Sequence, residues 1–184
     1  MTRPNNTLRL IQERSSIRAY TDQPLSPAET EELKKAALAA PTARDRQQLR
    51  YSFITDQSII AAMDQRIFHF CDPEMKAIMA GRQSDSFFYG APLAVVISAR
   101  DTPWVDIDAG IAVQTLALAA QSMGLSSVIL GMPRLAFRAD DPQNCRALLR
   151  MEEEERFCIA IALGHGARTK EPHQQHPEHI RVFD

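Results

Sequence analysis

The stretch from Asp108 to Met123 is rich in alanine and leucine, and its apolar side chains fall almost all the way round a helix rather than along one stripe. Gly124 follows it, the residue that helix C-termini favour. A helix of that kind must be covered on every side, because each bare apolar face is disfavoured in water. A chain of 184 residues suits one domain, residues 1–184, and buries roughly 70% of its unfolded surface. In a domain this small, a second subunit is the expected source of the missing cover.

The rest of the chain alternates helices and strands. Thr7 reads as the N-cap of a first helix with Leu8 and Ile11 on one face. Ser26-Pro27-Ala28-Glu29 is a clearer start: Ser26 caps, Pro27 fits the first helical position and Glu29 reaches back. That helix turns Leu33, Ala36, Ala37 and Ala40 inward and stops before Pro41. Tyr51–Thr55 reads as a strand and Ser58–Phe70 as a helix carrying Ile59, Ile60 and Met63. Residues 72–90 combine helix and loop. Leu93–Ile97 and Phe157–Leu163 are continuous apolar runs, read as strands buried on both faces. Ser127–Leu130 is a further strand, Pro142–Met151 a helix, and Glu152–Glu155 a solvated corner. Ile180, Val182 and Phe183 end a polar tail with an apolar patch that a free tail would not need. The expected class is α+β.

Composition excludes several functions. Apolar residues make up 45% and charged residues 24%, with a net charge of -2. That balance argues against an electrostatic role on nucleic acid or on an anionic membrane. No apolar run approaches the roughly 20 residues needed to cross a bilayer, and Met1 to Asn6 lacks the apolar stretch of a signal peptide. Cys71, Cys145 and Cys158 are far apart and odd in number, which fits reduced thiols in a cytoplasmic protein.

Arg14-Ser15-Ser16-Ile17-Arg18 puts two guanidinium groups and two hydroxyls within one short segment, a donor set suited to phosphate. Read alone, the segment fits a basic helix end, where Arg14 offsets the macrodipole, better than a phosphate clasp. Pro41-Thr42-Ala43-Arg44-Asp45-Arg46-Gln47 concentrates hydrogen-bonding side chains in a loop that solvent would also tolerate. Leu130-Gly131-Met132 follows a strand, where Gly131 lets backbone approach a ligand, although glycine there usually marks a turn. His165, His173, His176 and His179 cluster late in the chain. Pro172 and Pro177 interrupt any helix that would stack the last three, and no cysteine or carboxylate cluster accompanies them, so exposed histidines are favoured and no metal is expected. No GxSxG or comparable nucleophile context is present.

Taken in order, these pieces resemble the flavin-dependent nitroreductase family. Glu13-Arg14-Ser15-Ser16-Ile17-Arg18-Ala19-Tyr20 is similar to its opening motif, and Ala40-Pro41-Thr42-Ala43-Arg44-Asp45-Arg46-Gln47 to its second. Asp108-Ala109-Gly110-Ile111-Ala112-Val113-Gln114-Thr115-Leu116 resembles the start of its central helix. Gly124-Leu125-Ser126-Ser127-Val128-Ile129-Leu130-Gly131 and Ala162-Leu163-Gly164-His165 resemble its later strands. The resemblance covers nearly the whole chain.

It implies a three-layer α-β-α sandwich with a mixed, mainly antiparallel central sheet, built as an intertwined homodimer with FMN at the subunit interface. Arg14, Ser15, Ser16 and Arg18 would meet the flavin phosphate, ribityl chain and pyrimidine edge. Pro41, Thr42, Asp45 and Gln47 would approach from the partner subunit. Leu130, Gly131 and Met132 would lie along the ring system, and Lys170, preferred over Arg168, His173 and His176, would meet the phosphate. NADH or NADPH would supply electrons, and an electron-poor small molecule such as a nitroaromatic or quinone would receive them. No catalytic side chain is implied, because the flavin carries the chemistry. The chain departs from the family pattern at Asp45 (usually Asn), Gln48-Leu49 (usually Pro-Trp), Thr115 (usually Asn) and Ser126 (usually Gly). Those departures leave open a non-catalytic flavin-binding homologue, or a same-fold enzyme with other flavin chemistry.

Overall fold

A computed structural model describes residues 6–183. Met1 to Asn5 and Asp184 lie outside the described residues, and with them most of the stretch read above as lacking a signal peptide. The elements, in chain order, are α1 (Asn6–Glu13), α2 (Pro27–Ala39), β1 (Arg50–Ile54), α3 (Gln57–Phe70), α4 (Pro73–Gly81), β2 (Leu93–Arg100), α5 (Val105–Ser122), β3 (Ser126–Leu130) and β4 (Glu155–Gly164).

The caps follow local chemistry. At α2 the Ser26 hydroxyl accepts from the Glu29 amide at 3.2 Å, and the Glu29 carboxylate accepts from the Ser26 amide at 2.7 Å. The two bonds satisfy opposite orphan donors at the helix start. α4 opens the ambiguous 72–90 stretch because Asp72 caps it, accepting from the Met75 amide at 2.7 Å, with a proline directly after the cap. α5 ends at Gly124, whose φ of +75° suits glycine. There the Leu125 amide donates to Ala120 and the Gly124 amide to Gln121, which closes the last turn.

The four strands form one sheet in the order β1-β2-β4-β3, with every neighbour antiparallel. A parallel bridge between Ser16 and Ser127 adds the N-terminal segment beside β3. Alternation along β2 sorts its side chains between two cores. Leu93, Val95 and Ile97 join Leu33 of α2 and Val113 and Leu116 of α5 on one face. Ala94 and Val96 join Ile60, Met63 and Ile67 of α3 and Met79 of α4 on the other. The result is a sheet between two helical layers, and it explains why β2 reads as apolar at every position.

α5 is buried against the sheet through Ala109, Ala112, Val113, Leu116, Ala117 and Ala120. The opposite side is bare. Trp104, Ile107 and Ile111 are 50%, 57% and 39% exposed at helical spacing, so the all-round apolar character is only half used within the subunit.

Several local expectations are corrected. Thr7 lies inside α1 rather than capping it, and Leu8 and Ile11 are both about half exposed. Residues 142–151 form no α-helix. The Cys145 amide donates across to Ala136 at 2.8 Å, and Asn144 turns its side chain onto the Asp141 carbonyl, so these groups are drawn out of an i to i−4 ladder. Only a short 3₁₀ turn, Ala147–Leu149, remains. Glu155 is buried rather than solvated, accepting from the Ser98 hydroxyl at 3.2 Å. Ile180, Val182 and Phe183 neither form a strand nor pack within the subunit.

One buried carboxylate carries a pH signature. Asp64 on α3 is 7% exposed and accepts from the Phe87 amide at 2.8 Å. Burial pushes it up to about 6, while hydrogen bonds from Ser86 and Phe87 pull weakly the other way. The folded state therefore holds the proton more tightly than the unfolded chain. This group's contribution to stability is full below about pH 4 and is lost as pH rises to about 6. Asp64→Asn keeps an acceptor for Phe87 and removes the titration. Its stability relative to wild type, measured by urea unfolding, is expected to rise between those two pH values by up to about 3 kcal/mol. A difference that stays flat across that range would contradict the assignment.

Candidate functional site

The opening segment is held as an added edge between β3 and the chain after β4. The Ile17 amide donates to Ser127 at 3.0 Å, the Thr21 amide to His165 at 2.9 Å and the Ala167 amide to Ala19 at 3.0 Å. Tyr20 fixes the crossing: its hydroxyl lies 3.0 Å from the Ile17 carbonyl and 3.1 Å from that of Ala162, and burial raises its pKa far above the ordinary value. Ser15 donates to the Lys170 carbonyl at 2.9 Å, which draws the tail onto the same segment. Gly166 packs closely here, and a Cβ would press on the Ser126 side chain.

These contacts build a groove of about 480 Å³ from three separated pieces of chain. Ser16 and Arg18 line it from the N-terminal segment, Arg82 from the end of α4, and Arg168 and Lys170 from the tail. No carboxylate lines it. Among the described residues, none of these four cations forms an ion pair, although Arg82 donates to the Tyr89 hydroxyl at 2.7 Å. Arg18 reaches only the Ser16 carbonyl, at 3.5 Å. Arg14 follows the end of α1 and precedes this segment in the chain, but it does not itself line the groove. Its Nη1 is buried and, among the described residues, has no hydrogen-bond partner. A buried guanidinium donor left open can take an acceptor from outside the chain. A phosphate is such an acceptor.

The other predicted residues separate into two sets. Leu130 is buried in the core over α3, and Met132 packs against that core while remaining half-exposed. Gly131 between them is exposed, with open space where a side chain would project. The 41–47 loop does not line the groove; it is a separate feature tied to the start of α5. Buried Asp108 accepts from the Ala43 amide and from the Gln48 side chain, each at 2.9 Å. Thr42 accepts from the Gln47 amide at 2.9 Å, and Gln47 donates to Asp45 at 2.8 Å. Arg44, Asp45 and Gln47 have φ of +57°, +52° and +47°. Each such non-glycine residue costs on the order of 1 kcal/mol, and loops that hold several are usually over-determined for function. Asp108 supplies that constraint.

Sequence reasoning missed Arg82 as a groove residue and Asp108 as the anchor of the loop. Arg82 lay in a stretch with no clear period. Asp108 was visible in the central-helix motif, but its partners sit about 60 residues earlier in the chain. The three cysteines are free, and burial pushes Cys158 up to about 11, which leaves no reactive thiolate there.

Residues 11–165 match the model of the nitroreductase family. The chain belongs to that family. Among relatives of this nitroreductase-family chain, an FMN reductase (NADPH) from Bacillus subtilis strain 168 is 30% identical over 187 residues, spanning 89% of this chain and 67% of that protein. A nitroreductase with bound FMN from Desulfitobacterium hafniense DCB-2 superposes with a TM-score of 0.90 at 28% identity, covering 99% of this chain and 100% of the other. A nitroreductase with bound FMN from Bacteroides fragilis NCTC 9343 shares the fold at a TM-score of 0.86 and 20% identity, over 98% and 100% of the two chains. No helix among the described residues is long and apolar enough to cross a membrane.

Proposed function

We propose that this family member is an FMN-dependent oxidoreductase that takes electrons from NADH or NADPH and reduces an electron-poor small molecule, such as a nitroaromatic or a quinone. The observation that carries the reading is the carboxylate-free groove lined by Ser16, Arg18, Arg82, Arg168 and Lys170, with the open, buried Arg14 donor two residues before Ser16 in the chain. The family match and the FMN reductase relative supply the class of reaction.

The residues present fit FMN. Arg14, Ser16 and Lys170 would hold its phosphate, with Arg82 and Arg168 raising the positive potential of the groove. Arg18 would stand at the pyrimidine edge, where a cation stabilises negative charge. Gly131 would leave room beside the ring system, and Ser15 would act indirectly, by fixing the tail through the Lys170 carbonyl. Once bound, FMN would supply the hydride-transfer chemistry between nicotinamide and acceptor, in the ping-pong order that one shared site implies. The protein's part is to bind, orient and set the charge around the cofactor.

A homodimer completes this reading. The bare Trp104, Ile107 and Ile111 side of α5 and the exposed Ile180, Val182 and Phe183 patch are surfaces for a second copy. Pro41, Thr42, Asp45 and Gln47, held out by Asp108, would reach the partner's flavin. Asp45 can accept from a flavin N–H but cannot donate as asparagine would. A cytoplasmic location accords with three reduced thiols.

The test is NADH and NADPH oxidation by FMN-loaded protein with a nitroaromatic or quinone. Consumption that requires both FMN and acceptor is the expected result. Flavin-loaded protein that oxidises neither nicotinamide would assign the chain to flavin binding without turnover.

A further inference from the structure

We propose that the tail turn from His176 to His179 is a zinc site. Three side chains converge there. His176 Nδ1 lies 2.8 Å from Glu178 Oε1, and His179 Nε2 lies 4.0 Å from the same oxygen. One donor atom from each of His176, Glu178 and His179 falls within 4.8 Å of the others.

The backbone explains the convergence. Pro177 does not scatter the histidines, as it would inside an α-helix. It opens a 3₁₀ turn, Pro177–His179, closed by the His179 amide donating to the His176 carbonyl at 3.0 Å. In a 3₁₀ turn residues three apart eclipse one another. The two imidazoles accordingly stack, 5.3 Å between centroids and 19° between planes, with the Glu178 carboxylate beside them.

The donor set decides the ion. Two neutral imidazoles and one carboxylate suit zinc, with bonds of about 2.0–2.2 Å. Such bonds put tetrahedral ligand atoms about 3.3–3.6 Å apart, so the widest pair closes by about 1.5 Å at most and the His176–Glu178 pair opens by roughly 0.5–0.8 Å. All three side chains are exposed and free to rotate by that amount. The two histidines line an open cavity of about 490 Å³ that leaves the fourth position to water. Calcium and magnesium prefer all-oxygen shells and are poorly served. This site is independent of the flavin reading, because none of its residues lines the Arg18 groove.

The experiment is calorimetric titration of the untagged full chain with zinc chloride, alongside His176→Ala/His179→Ala, Glu178→Gln and, as control, His69→Ala on α3. Wild type and His69→Ala are expected to bind one zinc per chain with equal affinity. The double variant is expected to lose at least a hundred-fold in affinity, and Glu178→Gln about ten-fold. No saturable binding by wild type, or equal binding by the double variant, would overturn the proposal.

Discussion

Arg14→Ala is expected to weaken FMN binding by roughly ten- to a hundred-fold while leaving the thermal transition of the FMN-free protein nearly unchanged. The Arg14 Nη1 donor is buried and unpartnered among the described residues, so its removal breaks no hydrogen bond at that atom. A hydrogen bond to a charged group contributes about 1.5–3 kcal/mol, and each 1.4 kcal/mol is a factor of ten in affinity. Arg18→Ala separates the two ends of the segment. Arg18 makes one long bond to the Ser16 carbonyl and faces the groove, so its loss is expected to lower turnover per bound flavin more than flavin content. Equal flavin loss in both variants, with unchanged turnover per bound flavin, would contradict that division of roles. Flavin content from absorbance and steady-state rates measure both quantities.

Asp141→Ala is expected to cost about 3–5 kcal/mol of stability. Arg66 on α3 grips Asp141 with two parallel bonds, each 2.7 Å, and Asp141 is only 3% exposed. Arg66 also donates to Gln143 at 2.8 Å, and Arg66 and Arg138 lie over the Phe70 ring, 5.2 and 4.6 Å from its centre. Removing the carboxylate leaves a guanidinium largely buried and unpaired, and that accounts for the size of the loss. A double change, Arg66→Met with Asp141→Leu, takes away both charges and is expected to recover most of it. Denaturant unfolding of the three proteins measures the comparison. A double variant as unstable as Asp141→Ala would show that geometry, rather than the stranded charge, sets the cost. The pair pins α3 to the segment that follows Gly131, so Asp141→Ala is also expected to lower FMN affinity.

How far the sequence carried depended on the range of the interactions. The Ser26 and Glu29 cap, the Gly124 stop and the doubly buried β2 are decided within a few residues, and all were legible. The 142–151 segment looked helical by composition, yet the Ala136 carbonyl claims its Cys145 amide, and no local pattern announces that bond. The site divides in the same way. Arg14, Ser16 and Arg18 were legible as an anion-binding segment only through their register with later motifs. Arg82 became a groove residue only when α4 folded beside the segment, and Arg168, ranked below Lys170 from sequence, lines the groove together with it. Leu130 was legible as part of a loop-lining strand, but alternation sends its side chain inward. Glu178 was one acid in a polar tail, and a single 3₁₀ turn places it between two histidines.

The central claim is that the Arg14-to-Arg18 groove is an FMN site. Its most direct test is the visible absorbance spectrum of purified protein after incubation with FMN and gel filtration. One flavin per chain should travel with wild-type protein, and far less with Arg14→Ala. A wild-type protein that emerges colourless would contradict the account.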